Sequence, residues 1–360
     1  MSKIKICFVA QFPPPMHGLT KAVETLFDSR VSEEFELSKI DISNNKKFLS
    51  TLIKIINCDA DLFYFTISQT RGGNLRDLLI LKLIELKRKK CLVHLHGGYY
   101  RYLIENDIPQ WQKTLNENAC KKLAGVIVLG DSLRWIFEGI VAEDKIYTVP
   151  NCVDDQFLMD DPTYQRKIAE SESKEIKHVL YLSNFIRSKG YFEVLKLAKK
   201  EKENVLKGKK RCLHFDFAGK FFESEEEKSF REYVRDNNLS EYVTYHGVVG
   251  GIQKAELLKN SDYFALITRY PKEGQPISIL EAMGNGMIIV TTNHAGIPDI
   301  VDESSNIVIK DENVDIDVLY DSLDYRYEDV ERNRNTVLTK YREDHYIKNM
   351  IGVFHTVMGD

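Results

Sequence analysis

Two glutamates eight residues apart, Glu273 and Glu281, stand out in the segment 272–286, KEGQPISILEAMGNG. Gly274 permits a close backbone approach and Pro276 suits the first position of a helix, after which ISILEAM has helical character. The segment therefore predicts a helix opening at the C-terminal end of a strand that finishes near Ile267. The unpaired N–H groups and the dipole of such a helix suit phosphate or sugar oxygens. Glu273 falls in the loop and Glu281 about one and a half turns into the helix, so both carboxylates are expected to face one pocket. Glu281 lies among Ile279, Leu280, Ala282 and Met283, where an idle carboxylate would be partly buried at a cost, which favours a ligand-binding role over a solvated one.

Two further loops have the same character. Pro13-Pro14-Pro15-Met16-His17-Gly18 follows a buried strand and precedes a helix starting near Leu19, and Gly18 would let the backbone approach a phosphate there. His96 closes the strand CLVHLH ahead of Gly97-Gly98, at a strand end where a ligand would reach it; His94 shares its face by parity. Two D-x-D strings, Asp59/Asp61 and Asp315/Asp317, sit at a turn and a helix start, where acids serve as caps, and no metal site is expected.

The elements that must hold these residues alternate short β-branched runs with amphipathic stretches, the pattern of βαβ units and parallel sheets. Strands are expected at 4–10, 61–67, 91–96, 125–129 and 145–149, then at 178–183, 213–218, 242–246, 262–267, 287–291 and 307–309. A helix is expected over 74–90, and a closing helix from Tyr341 to Met358 carries Tyr346, Met350, Val353 and Phe354 at helical spacing. The charged stretch around 164–177 marks the boundary, giving one domain over 1–165 joined by the helix 341–360 and another over 166–340. In doubly wound domains ligands sit outside the strands' C-terminal ends, so a cleft between the two is expected.

Composition narrows the classes. The 360 residues are 43% hydrophobic and 29% charged, as in folded globular proteins, and the formal charge of -4 speaks against a dedicated nucleic-acid binder. Six scattered cysteines read as reduced thiols, and neither a signal sequence nor an apolar run of about 18 residues is visible, so a cytoplasmic location is expected. Without G-x-G-x-x-G or G-x-x-x-x-G-K-[ST], dehydrogenase and P-loop readings are disfavoured.

Glu273 and Glu281 match the E-x7-E motif of retaining glycosyltransferases of family four, and EGQPISILEAMGNGMIIVTTNHAGIPDIV resembles that family's most recognisable stretch. FPPPMHGLTKAVETL, VHLHGG, VPNCVD, SNFIRSKG and FDFAGK follow in the family's order, so the resemblance spans most of the chain. It implies an α/β fold of GT-B type, two Rossmann-like doubly wound domains facing a central cleft, with the nucleotide sugar held mainly by the C-terminal half. It further implies that Glu273 contacts the sugar, Glu281 the ribose, and His96 the sugar near its reacting carbon. The stretch Gly274, Gln275, Pro276 and Ile277 would offer backbone N–H groups, and Val248 would lie by the nucleobase. The family's diphosphate-binding cation pair resembles 183–190, where Lys189 keeps its place but Asn184 stands where an arginine is usual; Arg187 is the candidate substitute. His17 replaces one of two usual glycines beside Gly18 and would narrow the pocket.

The function implied is metal-independent, retaining sugar transfer from a nucleotide sugar to a glycan or lipid-linked hydroxyl. A UDP-sugar is favoured over a GDP-sugar, in capsular or other surface polysaccharide synthesis, and no cofactor or nucleic acid is expected. The rivals are a GT-B epimerase or phosphorylase and a non-catalytic nucleotide-sugar-binding scaffold. The basic, strongly apolar sequence RDLLILKLIELKRKK suits either a crossover helix buried on its sheet or contact with an anionic membrane face.

Overall fold

A computed structural model of the chain describes residues 3–14 and 18–359. The chain forms two compact units, one of residues 1–152, 272–275 and 343–360, the other of 153–271 and 276–342. The sequence places the boundary after residue 165, whereas the units part after Cys152. The reason is the helix Asp161–Ser173, whose Tyr164 and Ile168 belong to the second unit's core. The loop 272–275, expected in the C-terminal domain, packs with the first unit.

The first unit holds six parallel strands, β1 (Lys5–Ala10), β2 (Glu36–Asp41), β3 (Leu62–Thr66), β4 (Lys90–His94), β5 (Gly125–Val128) and β6 (Ile146–Thr148), in the order β2-β1-β3-β4-β5-β6. Ile6, Phe8, Tyr64, Leu92 and Ile127 pack with Val23 and Leu26 of helix Gly18–Phe27 and with Tyr346, Met350 and Phe354 of helix Glu343–Met358. Alternate residues point to the other face. That face is covered by the helices Phe48–Asn57, Arg71–Leu86 and Gln110–Cys120. The helix expected over 74–90 thus starts and stops earlier; Arg88 takes a positive φ of 56° and Lys90 opens β4. The sequence pattern does not reveal β2: ELSKID is an edge strand with four of its six side chains exposed, so it lacks the apolar run of its neighbours.

The second unit repeats the plan with β7 (Lys177–Leu182), β8 (Leu213–Ala218), β9 (Val243–Tyr245), β10 (Tyr263–Leu266), β11 (Ile288–Thr292) and β12 (Ile307–Ile309), ordered β12-β11-β10-β7-β8-β9. All pairings are parallel. The strand order reverses between β7 and β10, and between β1 and β3 in the first sheet; such points leave a crevice at the strands' C-terminal ends. At the β7/β10 point Gly190 adopts φ +79°, and a Cβ on it would lie 2.2 Å from the carbonyl oxygen of Ile267. The six cysteines are thiols rather than disulfides, and among the described residues no helix is long and apolar enough to cross a membrane.

Gly190→Ala is expected to lower the unfolding free energy by about 2 kcal/mol or more, since a side chain there meets both a left-handed backbone and the Ile267 carbonyl. Urea denaturation checks this; an unchanged midpoint and slope would contradict it.

Candidate active site

In the second unit the residues singled out by the sequence gather at the C-terminal edge of the sheet. After β7 the chain passes Asn184, exposed, and turns through Arg187–Lys189 into the helix Tyr191–Leu206. The Ser188 carbonyl accepts the Arg269 backbone N–H at 2.6 Å, tying this turn to the end of β10. Lys189, half-buried, holds its ammonium 5.1 Å from the centre of the Tyr270 ring. Arg187 is engaged elsewhere: its guanidinium lies 4.3 Å from the Phe192 ring and its Nε 3.3 Å from Glu226. Serving as the substitute cation would require it to leave that carboxylate.

The helix Ile277–Gly284 begins at the same edge, with Pro276 as its N-cap rather than its first helical residue. Its C-terminal end is held by two buried cations: Arg334 donates to the Gly284 carbonyl at 2.6 Å and Lys167 to that of Asn285 at 2.7 Å. Cations there complement the helix dipole. Burial pulls the Lys167 amine down to about 7. Glu281, 3% exposed, accepts a hydrogen bond from Lys254 Nζ at 2.6 Å, and Lys254 also lies 4.0 Å from the Phe157 ring centre. Lys254 is invisible to sequence reasoning because no local spacing links it to Glu281, 27 residues later.

Val248 is exposed, just beyond Gly247, in the loop after β9. That loop is anchored from beneath. His178 and His246 each bond one oxygen of the buried Asp216, at 2.6 and 2.7 Å, and the Gly247 carbonyl accepts the Gly219 N–H at 2.8 Å. Burial alone would raise the Asp216 carboxyl, but the two imidazole contacts outweigh it and hold it below the ordinary range.

In the first unit, Glu273 is buried on the loop that meets the end of β4. A Cβ on Gly274 would lie 3.0 Å from the Gly97 Cα and the His96 carbonyl oxygen, so any side chain there would push the two segments apart by a few tenths of an ångström. The Gln275 side chain acts as a structural clamp. Its Nε2 donates to Leu129 O at 2.9 Å, its Oε1 accepts the Asn151 N–H at 2.7 Å, and its own carbonyl accepts from Asn151 Nδ2 at 2.9 Å. The side chain and the carbonyl of Gln275 are thus both engaged in holding the loop. The His96 ring lies against His94 with centroids 3.9 Å apart and planes tilted by 32°, and His94 Nδ1 contacts the Tyr64 hydroxyl at 2.8 Å. Burial, reinforced by His96, holds the His94 imidazole well below its ordinary pKa. Gly18 is exposed as the first residue of its helix beside the β1/β3 reversal, while His17 lies outside the described residues. Asp59 and Asp61 face Lys5 and Lys89, and Asp315 caps the helix Ile316–Asp321. The structure thus brings Glu273, Gly274 and His96 together in one unit and Lys189, Arg187, Val248 and Glu281 to one sheet edge in the other.

Comparison with known proteins gives a family match: residues 162–342 fit the model described as glycosyl transferases group 1. Among curated proteins no match is found. Solved structures match over both units. Anabaena HepE in complex with UDP has a TM-score of 0.74 at 12% identity, covering 98% of this chain and 100% of that one. A glycosyltransferase from Rickettsia africae has a TM-score of 0.73 at 14% identity, covering 100% of both chains. Sucrose-phosphate synthase from Thermosynechococcus elongatus has a TM-score of 0.72 at 12% identity, covering 99% and 100%. The α/β fold of two doubly wound units is therefore the GT-B fold.

His94 makes a pH signature. The unfolded chain takes up a proton at this imidazole below about pH 6.5, while the folded chain keeps it neutral much further down. The unfolded state then binds more protons, so stability present above that pH is lost as pH falls, with a slope of up to about 1.4 kcal/mol per pH unit. Urea denaturation of His94→Gln is expected to show a shallower loss than the parent between about pH 6.5 and 5. Equal slopes would contradict the assignment.

Proposed function

The chain belongs to the glycosyl transferases group 1 family, and on that premise we propose that it is a retaining enzyme of family-four type. It moves a sugar from a nucleotide diphosphate to a hydroxyl of a glycan or lipid-linked acceptor. The observation that best supports this is the switch point of the second sheet. There the turn bearing Lys189 and the N-terminus of the helix Ile277–Gly284 lie at one edge, a cation and a set of N–H donors suited to a diphosphate. A UDP-sugar is the favoured donor, in line with the complexes of Anabaena HepE with UDP and with UDP-glucose.

The chemistry breaks the bond between the sugar's anomeric carbon and a phosphate oxygen, and the electron pair leaves with the diphosphate. Lys189 and the helix N–H groups stabilise that growing charge, and in this reading they do so without a metal ion. Arg187 joins them once its guanidinium exchanges Glu226 for phosphate. Glu281, paired with Lys254, accepts the ribose hydroxyls; Glu273 and His96 hold the sugar; Val248 lies by the base and Gly18 by the phosphates. The departing phosphate takes the acceptor's proton on the same face, so configuration is retained. The acceptor is a surface or capsular polysaccharide intermediate at the inner face of the cell membrane.

Lys189→Ala is expected to lower kcat by about 10²–10³, and Glu273→Gln to lower it with nucleotide binding kept. Transfer from UDP-glucose proceeds at the same rate in EDTA, and NMR of the product shows the donor's anomeric configuration. A parental rate for both variants, an inverted product or metal-dependent transfer would overturn the reading. Donor binding without transfer or hydrolysis would point to a scaffold.

A further inference from the structure

Three helices of the first unit share an unusual outer face. Phe48–Asn57 buries Thr51 and Ile55 on its sheet and exposes Leu49, Ile53 and Ile56, by 76, 58 and 52%. Arg71–Leu86 buries Leu78, Leu81 and Ile84 and exposes Leu75, Leu79 and Leu86. Gln110–Cys120 exposes Trp111 and Leu115. The middle helix packs against each of the others, so these side chains belong to one layer, and they make up half of the exposed large apolar side chains among the described residues. An apolar patch of this breadth on one face marks an interaction surface.

Its charge identifies the occupant. No acidic residue occurs between Asp41 and Asp59, while Lys46, Lys47 and Lys54 are all exposed on or just before the first helix. Around the second, Arg88 is exposed as well, while the exposed Arg71 pairs with Asp107 at 3.4 Å. Glu85 is bracketed by Lys82 and Lys122, and Asp77 is buried against Arg76, so these acids do little to offset the outer cations. A chain of formal charge -4 thus concentrates cations about an apolar layer. Two copies meeting face to face would set these lysines against each other, because a two-fold contact pairs a surface with itself. An anionic bilayer takes both features at once, apolar side chains at the acyl boundary and cations at the headgroups.

We propose that this three-helix face is where the protein lies on a membrane of anionic lipid. The purpose, bringing the site to a lipid-linked acceptor, rests on the function proposed above; the binding itself does not. The sequence offers the helix around 74–90 for such a contact, and the structure makes Phe48–Asn57 its equal partner.

The test is co-sedimentation of the full chain with vesicles of phosphatidylcholine alone or mixed with phosphatidylglycerol. The protein is expected to sediment with the mixed vesicles only, and to be released at about 1 M salt, where charges are screened beyond roughly 3 Å. Replacing Lys46, Lys47 and Lys54 by Ala should weaken binding about fivefold per cation, and Ile53→Ser with Leu79→Ser roughly tenfold per side chain. UDP binding and transfer to a water-soluble acceptor, followed on the same variants, should match the parent. Absence of both in the parent would fault the function instead, so the two failures are distinguishable. No sedimentation with the mixed vesicles, equal sedimentation with neutral ones, or variants that bind like the parent would overturn the proposal. So would a dimer in sedimentation velocity that Ile53→Ser dissociates, which would assign the face to a second copy.

Discussion

The approach of Gly190 to Ile267 is the constraint on which the second unit's working edge depends. A glycine with φ +79° lets the helix Tyr191–Leu206 start against the end of β10, with no room for even a methyl group. The turn before it is then fixed by the Arg269–Ser188 backbone bond, and Lys189 beside Tyr270 takes its place at the point where the strand order reverses. Parallel topology supplies a crevice at such a point. What it holds is decided by the few side chains that this close packing orients.

The helix Ile277–Gly284 meets a harder electrostatic problem, because it carries a buried carboxylate. Lys254 pairs with Glu281, while Lys167 and Arg334 bond the carbonyls at the helix's far end. Breaking one side of a buried ion pair costs about 3–5 kcal/mol, so Glu281 and Lys254 depend on each other. The depressed pKa of Lys167 records the cost of holding a cation there. The short motif that joins the two glutamates is divided between the units: 272–275 pack on the first, through Gln275 and the close contact of Gly274 with Gly97, and Pro276 begins the second unit's share.

Much of this was legible in the sequence. Buried parallel strands read as continuous apolar runs, and eleven of the twelve among the described residues were expected close to where they lie; β2 was hidden because an edge strand facing solvent carries polar residues. The burial of Glu281 was legible in its apolar neighbours, whereas Lys189 was singled out only by the family resemblance. Partners distant in sequence were not legible: Lys254 for Glu281, Glu226 for Arg187, and Leu129 and Asn151 for Gln275 are products of tertiary packing. The helix Phe48–Asn57 passed unnoticed because its apolar residues fit a buried stripe as well as an exposed one; only the fold shows which side Leu49 and Ile53 take.

The central claim is a uridine diphosphate site that works without a metal ion. The most direct test is the melting temperature of the full chain with UDP, GDP or ADP, each with and without EDTA. A ligand at 100 times its Kd adds about 2.7 kcal/mol of stability. UDP should raise the melting temperature equally in both conditions and more than the other nucleotides do. No shift with any nucleotide, or a shift that EDTA abolishes, would contradict the claim.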